Sequence, residues 1–406
     1  METIVLKFGG TSVGTIERIE AVAKIIKEAK KEAFPIVVVS AMSGETDRLI
    51  NLAKEIDDNP PKREFDALIS TGEKVSAALL AMALHKAGVA SKSYSAAQIS
   101  MKTTSQFSKA KIINIDFTKI EDAINNDFVP VITGFQGITD EGDVTTLGRG
   151  GSDTTAVAVA AAMKSLRCDI FTDVDGIYTT DPNLVPEAKK LDRITMEEML
   201  ELSGQGAKVM QVRAVEFANK YNVPVRVLSS FAPGTGTLIS LEEPNMDDME
   251  KAVVSGIAFQ KDQTKISFQG VKDSPGIASS ILGPIAAEGI EVDVIIQNIS
   301  NEGRTDFTFT ISSIDRDVVE KICNTQLQDL DFNNLIIDNN VGKVSIVGVG
   351  MRSHAGIASR AFQALANNNI NISMISTSEI KITLVINIDD VNNAVKVLHH
   401  EFELDK

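Results

Sequence analysis

In the first part of the chain, apolar positions alternate between two rhythms. The short β-branched runs Thr3–Phe8, Pro35–Ala41, Phe128–Thr133, Cys168–Asp173 and Pro224–Leu228 are bounded by Gly, Pro or Ser and predict strands. Between them the spacing lengthens. Ile16, Ile19, Val22, Ile26 and Ala29 recur beside a Lys/Glu face and predict a helix over Ile16–Ala33. This alternation predicts an α/β domain with a mainly parallel sheet sandwiched by helices, whose sites gather at the carboxyl ends of its strands. A turn cluster at Ala232–Gly236 and the acidic, Pro-broken stretch Glu242–Glu250 end the pattern, so a first domain over 1–245 is expected.

The remainder repeats itself. Lys265–Val271 (KISFQGV) matches Lys343–Val349 (KVSIVGV), and Pro275–Ser279 (PGIAS) matches Ala355–Ser359 (AGIAS) at the head of a helix. Strand-like Gly289–Val294 and Asn369–Met374 follow, then alternating Asp306–Ile311 and Lys381–Ile386, then helical Asp315–Asn324 and Val391–Glu401. A period of roughly 80 residues is too long for a short-repeat solenoid and predicts a duplicated βαββαβ unit.

Composition narrows the function classes. A chain of 406 residues with 43% hydrophobic residues can build two or three packed cores. Asp plus Glu number 55 against 40 Lys plus Arg, a net charge of −15 that disfavours nucleic acid and anionic membranes. An anionic substrate must meet a local cluster of positive groups. Cys168 and Cys323 make no disulfide framework, which fits a reducing cytoplasm. The N-terminus enters a strand at once, so no signal peptide is expected, and the apolar stretch Ala156–Met163 is too short to span a bilayer. His85, His354, His399 and His400 lack metal-ligand spacing, so no metal site is expected among them.

Five motifs carry candidate chemistry. Lys7–Ser12 (KFGGTS) follows the opening strand. Gly9 and Gly10 let backbone amides approach phosphate oxygens and Lys7 can meet a transferring phosphoryl group, but the motif reads equally as a strand ending in a tight turn. Leu147–Thr155 (LGRGGSDTT) runs into an Ala-rich helix predicted over Thr155–Ser165. Amides at Gly150, Gly151 and Ser152 favour an anion there, Arg149 can grip a carboxylate or phosphate, and Asp153 is otherwise an ordinary first-turn residue. In Ser70–Lys74 (STGEK), at the entry to a helix Lys74–Lys86, Glu73 suits either the helix dipole or a substrate ammonium. Thr172–Pro182 (TDVDGIYTTDP) lacks the ligand series of a calcium loop and reads as a nucleotide-edge loop or a turn cluster. Lys208 in Gly206–Met210 (GAKVM) is either a second phosphate lysine or a solvated helix residue.

As an ordered set, KFGGTSVG, STGE, LGRGGSDTTA, TDVDGIYTTDP and GAKV closely resemble the aspartokinase family of the amino-acid-kinase fold. The resemblance covers essentially the whole chain, and Lys265–Ile311 and Lys343–Ile386 look like a tandem pair of ferredoxin-like ACT domains. It implies phosphorylation of the side-chain carboxylate of L-aspartate by ATP with Mg2+, giving 4-phospho-L-aspartate, the entry step toward lysine, threonine and methionine. It implies catalytic roles for Lys7, Asp153 and Lys208, and an aspartate pocket of Ser40, Thr46, Glu73, Arg149 and Ser152. The nucleotide site it implies comprises Lys7, Gly9, Gly10, Thr172, Asp173, Tyr178, Asp181 and Lys208.

The family pattern further implies that one ACT domain (262–340) is inserted into the other (250–261 plus 341–406), with the strand Ala252–Gln260 pairing in the distal unit. Lysine and/or threonine would act as effector near Asp273, Val292, Val294, Gln297 and Asn298, and the chain would form at least a homodimer through its ACT domains. No fused homoserine dehydrogenase is expected. Two positions depart from the pattern: Asn183 stands where many relatives have an arginine, and VMQVRA follows Lys208 where many have VLHPRA. Two rival readings are another amino-acid kinase and a catalytically silent amino-acid sensor. Glu73, Arg149 and the repeats weigh against the first; Lys7, Arg149 and Asp153 weigh against the second.

Overall fold

The computed structural model describes residues 1–207, 209–241, 253–299, 303–328, 330–354 and 356–406. It divides into two units, one of Met1–Ile177, Lys190–Ser203 and Lys208–Met249, the other of Tyr178–Lys189, Gly204–Ala207 and Glu250–Lys406. The stretch 242–250, where sequence places the end of the first domain, lies outside the described residues.

The first unit is built on an eight-stranded sheet. Its order is Arg193–Thr195, Thr237–Ser240, Val225–Ser229, Cys168–Thr172, Thr3–Phe8, Phe34–Val39, Val129–Thr133 and Ser91–Tyr94. Pairing is parallel from Val225–Ser229 onward, and Thr237–Ser240 runs antiparallel to it. Thr3–Phe8, Phe34–Val39 and Val129–Thr133 are buried at every position, which is why they read as unbroken apolar runs. The helices Ile16–Ala29 and Thr71–Lys86 pack together, as do Gly151–Ala162 and Val212–Tyr221. Lys7 lies opposite both Val38 and Ile170, so three neighbouring strands end at one edge of the sheet.

Some boundaries differ from expectation, and the differences matter for the site. The Ala-rich helix starts at Gly151, four residues before Thr155, because Gly150 at φ 68° caps it; Ser152 and Asp153 thereby join its first turn. The helix predicted from Lys74 starts at Thr71, which places Glu73 in its first turn. Ile16–Ala29 ends before Ala33 in a tight turn. A second sheet of Ile112–Asn114, Lys102–Thr103, Gln136–Ile138 and Val144–Thr146 was not predicted, since strands of two or three residues show no periodicity. The helical run Lys62–Lys86 is long and apolar enough to cross a membrane by length and composition alone. In this fold it buries Ile69, Ala77, Leu80 and Leu84 in the first unit's core and carries the buried carboxylates Asp66 and Glu73.

The second unit contains one six-stranded antiparallel sheet, ordered Val292–Ile299, Arg304–Ser312, Gly256–Lys272, Asn334–Val347, Lys381–Asn387 and Ile372–Thr377. Gly256–Lys272 runs through both repeats. Its start, Gly256–Gln260, pairs with Val347–Lys343, and its later residues pair with Ser312–Arg304, with a register shift between Gln260 and Gln263. The two repeats therefore share a continuous sheet rather than holding two separate ones. Helices Ile277–Ala287 and Ile357–Asn367 follow Gly276 and Gly356, both at φ 95° and ψ −7°, so the duplication extends to single dihedral angles. One core gathers Ile266, Phe268, Phe307 and Phe309; the other gathers Val344, Ile346, Leu365, Leu384 and Leu398 together with Val185.

Candidate active site

Lys7 ends the opening strand with its side chain almost fully buried, and its Nζ lies 2.5 Å from Asp153 Oδ1 in the first turn of the Ala-rich helix. The chain leaves the strand through Gly9, whose N–H donates to Phe171 O, and Gly10, whose carbonyl accepts from Ser43 N. A Cβ at Gly10 would lie 3.0 Å from Ala41 O, a tight contact that favours glycine in this turn. The glycine turn is tied to the neighbouring strand end. Ser12 Oγ donates to Ser230 Oγ at 2.8 Å, Ser230 N–H and Oγ–H both donate to Thr172 O, and Arg18 donates to Ser230 O while its guanidinium lies over the Phe231 ring. Thr172 Oγ1 donates in turn to Asp173.

Glu73 is the second focus. It is 3% exposed, and one carboxylate oxygen accepts from Ala41 N at 3.2 Å. The other oxygen has no hydrogen-bond partner among the described residues. Burial pushes its pKa up to about 7, against the smaller opposing effect of the backbone N–H bonds. Ser40 adjoins it, because Ser76 Oγ donates to Ser40 O at 2.6 Å from the turn that follows Glu73. Ser152 reaches the same strand ends, packed so closely on Gly134 that a Cβ there would fall 2.6 Å from its Oγ; Gly134 N–H donates to Val39 O. Thr46 is half-buried in the helix Glu45–Ile56. Arg149 is exposed and makes no ion pair among the described residues.

The structure thus brings Lys7 to Asp153, Gly9 to the Phe171–Thr172 strand end, Gly10 to the Ala41–Ser43 turn, and Glu73 to the Ser40–Ala41 backbone. Tyr178 and Asp181 fall in Tyr178–Lys189, which belongs to the second unit. Asn183, which stands in place of the family's arginine, donates from N and Nδ2 to Asp181 Oδ1 at 2.9 and 3.0 Å and so fixes that carboxylate. Lys208 lies outside the described residues. After it, Gln211 Oε1 caps the helix Val212–Tyr221 by accepting from Arg213 N, which shows how VMQVRA opens this helix without His-Pro.

In the second unit, Asp273 and Gln297 line one cavity of about 480 Å3 with Ser274, Pro275, Gly276 and Ile277. The other expected effector residues stand elsewhere. Val292 packs against the Phe268 core, and Val294, at φ 36° in a bulge of its strand, is buried with Val341, Met374 and Val385. Their apolar side chains seek core, leaving only backbone for a ligand. Asn298 is exposed, and its carbonyl accepts from Thr305 Oγ1. Among the described residues no three His, Cys, Asp or Glu side chains gather as metal ligands.

Arg18, Asp66 and Ser230 escape a sequence reading, as do the pairings of Ser12 and Arg213 inside their quoted segments, because the partners lie up to 218 positions away.

A model of the amino acid kinase family matches residues 2–229, and an ACT domain model matches residues 344–402. The chain is 54% identical over 406 residues to the aspartate kinase Ask_LysC of Stutzerimonas stutzeri (strain A1501), covering 100% of this chain and 98% of that one. Among solved structures, aspartokinase III of E. coli in complex with aspartate and ADP (R-state) aligns with a TM-score of 0.83 at 25% identity, covering 98% of this chain and 99% of that one. The same enzyme with lysine and aspartate (T-state) aligns with a TM-score of 0.74 at 26% identity, covering 99% and 100%.

Proposed function

The chain belongs to the aspartokinase family and is a kinase of aspartate; on that premise we propose that it transfers the γ-phosphoryl group of ATP to the side-chain carboxylate of L-aspartate, under feedback control by lysine and/or threonine. The observation that carries the acceptor half is Glu73. A buried carboxylate with an unpartnered oxygen and a raised pKa is the electrostatic complement of an ammonium group, whose arrival restores the ionised form. Arg149 then takes the α-carboxylate, while Ser40, Thr46 and Ser152 complete the pocket.

The chemistry needs no general base. A carboxylate with a pKa near 4 is already a nucleophile at neutral pH, so the obstacle is repulsion between two anions. Its oxygen attacks the γ-phosphorus in line, the bond to the β–γ bridging oxygen breaks, and ADP departs with that electron pair. Lys7, held by Asp153, meets the charge as it develops, and the amides after Gly9 and at the Gly151 helix start meet phosphate oxygens. Lys208 is the second phosphate cation, and Thr172, Asp173, Tyr178 and Asp181 bound the nucleotide. Magnesium would be held chiefly by the phosphates, as the ion usually takes few protein ligands.

Control belongs to the ACT unit, with an amino-acid effector at the Asp273–Gln297 cavity and the sheet edge Val292–Ile299. Pairing of that edge with a second copy would give at least a homodimer. The reaction is placed in the cytoplasm, at the head of lysine, threonine and methionine synthesis.

Coupled ADP release tests the reading. L-Aspartate should be phosphorylated well ahead of glutamate, acetylglutamate and carbamate. N-Acetyl-L-aspartate, lacking the ammonium, should lose about ten- to a hundredfold in affinity, the worth of one charged hydrogen bond. Equal turnover of the acetylated acceptor would remove Glu73 from the amino-group site.

A further inference from the structure

The loop Leu147–Gly150, which presents Arg149, is gripped from two sides by side chains the reaction does not use. Asp66 is fully buried. Its Oδ2 accepts from the backbone N–H groups of Ser108 (2.8 Å) and Thr146 (2.7 Å), and its Oδ1 accepts from both of their hydroxyls, each at 2.9 Å. Four donors satisfy this carboxylate, and the bonds staple the Ser108 turn to the residue directly before Leu147. On the other side, the half-buried Arg213 spreads its guanidinium over two carbonyls, Leu147 O at 2.9 Å and Ala110 O at 2.8 Å. Ala110 N–H donates to Thr146 O and closes the frame. Beneath the loop, Gln211 lies so near Gly150 that a Cβ there would meet its Cγ at 2.1 Å.

The loop needs such a frame. Gly148 and Gly150 give it little stiffness of its own, because glycine loses the most conformational freedom on ordering. Arg149 has no ion pair among the described residues to hold it before substrate arrives. A loop that is competent only part of the time weakens apparent affinity by that fraction.

We propose that Asp66 and Arg213 are positioning residues for the acceptor, fixing Leu147–Gly150 from both sides so that Arg149 stands ready for the α-carboxylate of the incoming amino acid. The inference rests on Arg149 serving the aspartate pocket. It also specifies how Asp66 acts. Hydroxyls accept as readily as they donate, so an asparagine can keep its carbonyl toward the two N–H groups and turn its amide toward Ser108 and Thr146. Asp66 works through hydrogen-bond geometry and not through charge.

Steady-state kinetics of the full chain with each substrate varied decide the matter. Asp66→Ala raises the KM for aspartate about tenfold or more and leaves the KM for ATP within about twofold, while Asp66→Asn stays within about threefold of wild type for both. Arg213→Met shows the same split as Asp66→Ala; being a change at a half-buried side chain, it decides the question if Asp66→Ala fails to fold. Arg149→Ala separates the two levels of the reading. If that variant leaves the KM for aspartate unmoved, the pocket assignment falls and takes the inference with it. If Arg149→Ala raises that KM while Arg213→Met and Asp66→Ala do not, or raise both KM values alike, the frame alone is wrong. An Asp66→Asn enzyme as impaired as Asp66→Ala also overturns the geometric role.

Discussion

Lys7 Nζ and Asp153 Oδ1 lie 2.5 Å apart between the end of the first strand and the first turn of the Ala-rich helix, with side chains only 10% and 12% exposed. A pair so withdrawn from water has few alternative positions. Removing one partner leaves the other as an uncompensated buried charge, and such losses are large.

Lys7→Ala should therefore cut kcat by about a hundredfold or more, because a clamp on developing charge contributes most in the transition state. The KM for aspartate should change far less. Single-turnover measurement of phosphoryl transfer checks this, and near-normal turnover would remove Lys7 from the chemistry.

Glu73 should make the unliganded protein pay for its site. Its carboxyl ionises near 4.5 in the unfolded chain and near 7 in the fold, so between those values the folded state holds a proton the unfolded state has released. Stability contributed by this group accordingly falls as pH rises through that window. The full cost above it is about 3–4 kcal/mol at most, at about 1.4 kcal/mol per pKa unit. Glu73→Gln should stabilise the free protein against urea at pH 8 by up to that amount and much less at pH 5, while weakening aspartate binding. Equal stabilisation at both pH values would contradict the titration.

His399 predicts a second, opposite pH dependence. It is 2% exposed, its Nε2 is 2.9 Å from Thr179 Oγ1, and burial lowers its pKa, although Asp405 and Glu187 pull it up and His400 adds to the lowering. Lys396 also lines the cavity beside it. The folded state thus prefers neutral imidazole. Its contribution is present above the unfolded value of about 6.5 and is lost as pH falls from there toward the lower folded value. Hydrogen exchange of the segment Tyr178–Lys189 should rise as pH drops below 6.5, after correction for intrinsic rates, and His399→Gln should flatten that rise.

Gln297→Ala should weaken effector binding without disturbing uninhibited turnover, since it lines the Asp273 cavity. A coupling of about 1–3 kcal/mol would be lost, a change of roughly 5- to 150-fold in the effector's influence on activity. Calorimetry with lysine and threonine, alone and together, measures it. Binding unaltered in Gln297→Ala would move the effector elsewhere.

The parts of the fold readable from the chain were those with a local cause. Thr3–Phe8 is buried at every position and Cys168–Thr172 at every position before Thr172, and Gly276 and Gly356 mark matching helix starts. KFGGTS and LGRGGSDTT are informative because glycines at fixed offsets leave a trace. Asp66 leaves none: its worth depends on Thr146, 80 positions away, and alone it reads as one more helical carboxylate. The fusion of the two repeat sheets was hidden for a related reason. Gln260–Gln263 keeps the strand going where the family pattern implied a boundary between 261 and 262, and only pairing with Asn334–Val347 reveals it.

That shared sheet constrains how the chain comes together. The hairpins Val292–Ile299 with Arg304–Ser312, and Ile372–Thr377 with Lys381–Asn387, join neighbours in sequence and can close early. Gly256 meets Val347 only across a loop that contains the whole first repeat, so this central seam carries the greatest closure entropy and forms last. Until it does, each half-sheet exposes an unpaired inner edge, the surface on which nascent chains pair wrongly with one another. A polypeptide cut between Lys272 and Asn334 would keep those two edges in separate pieces.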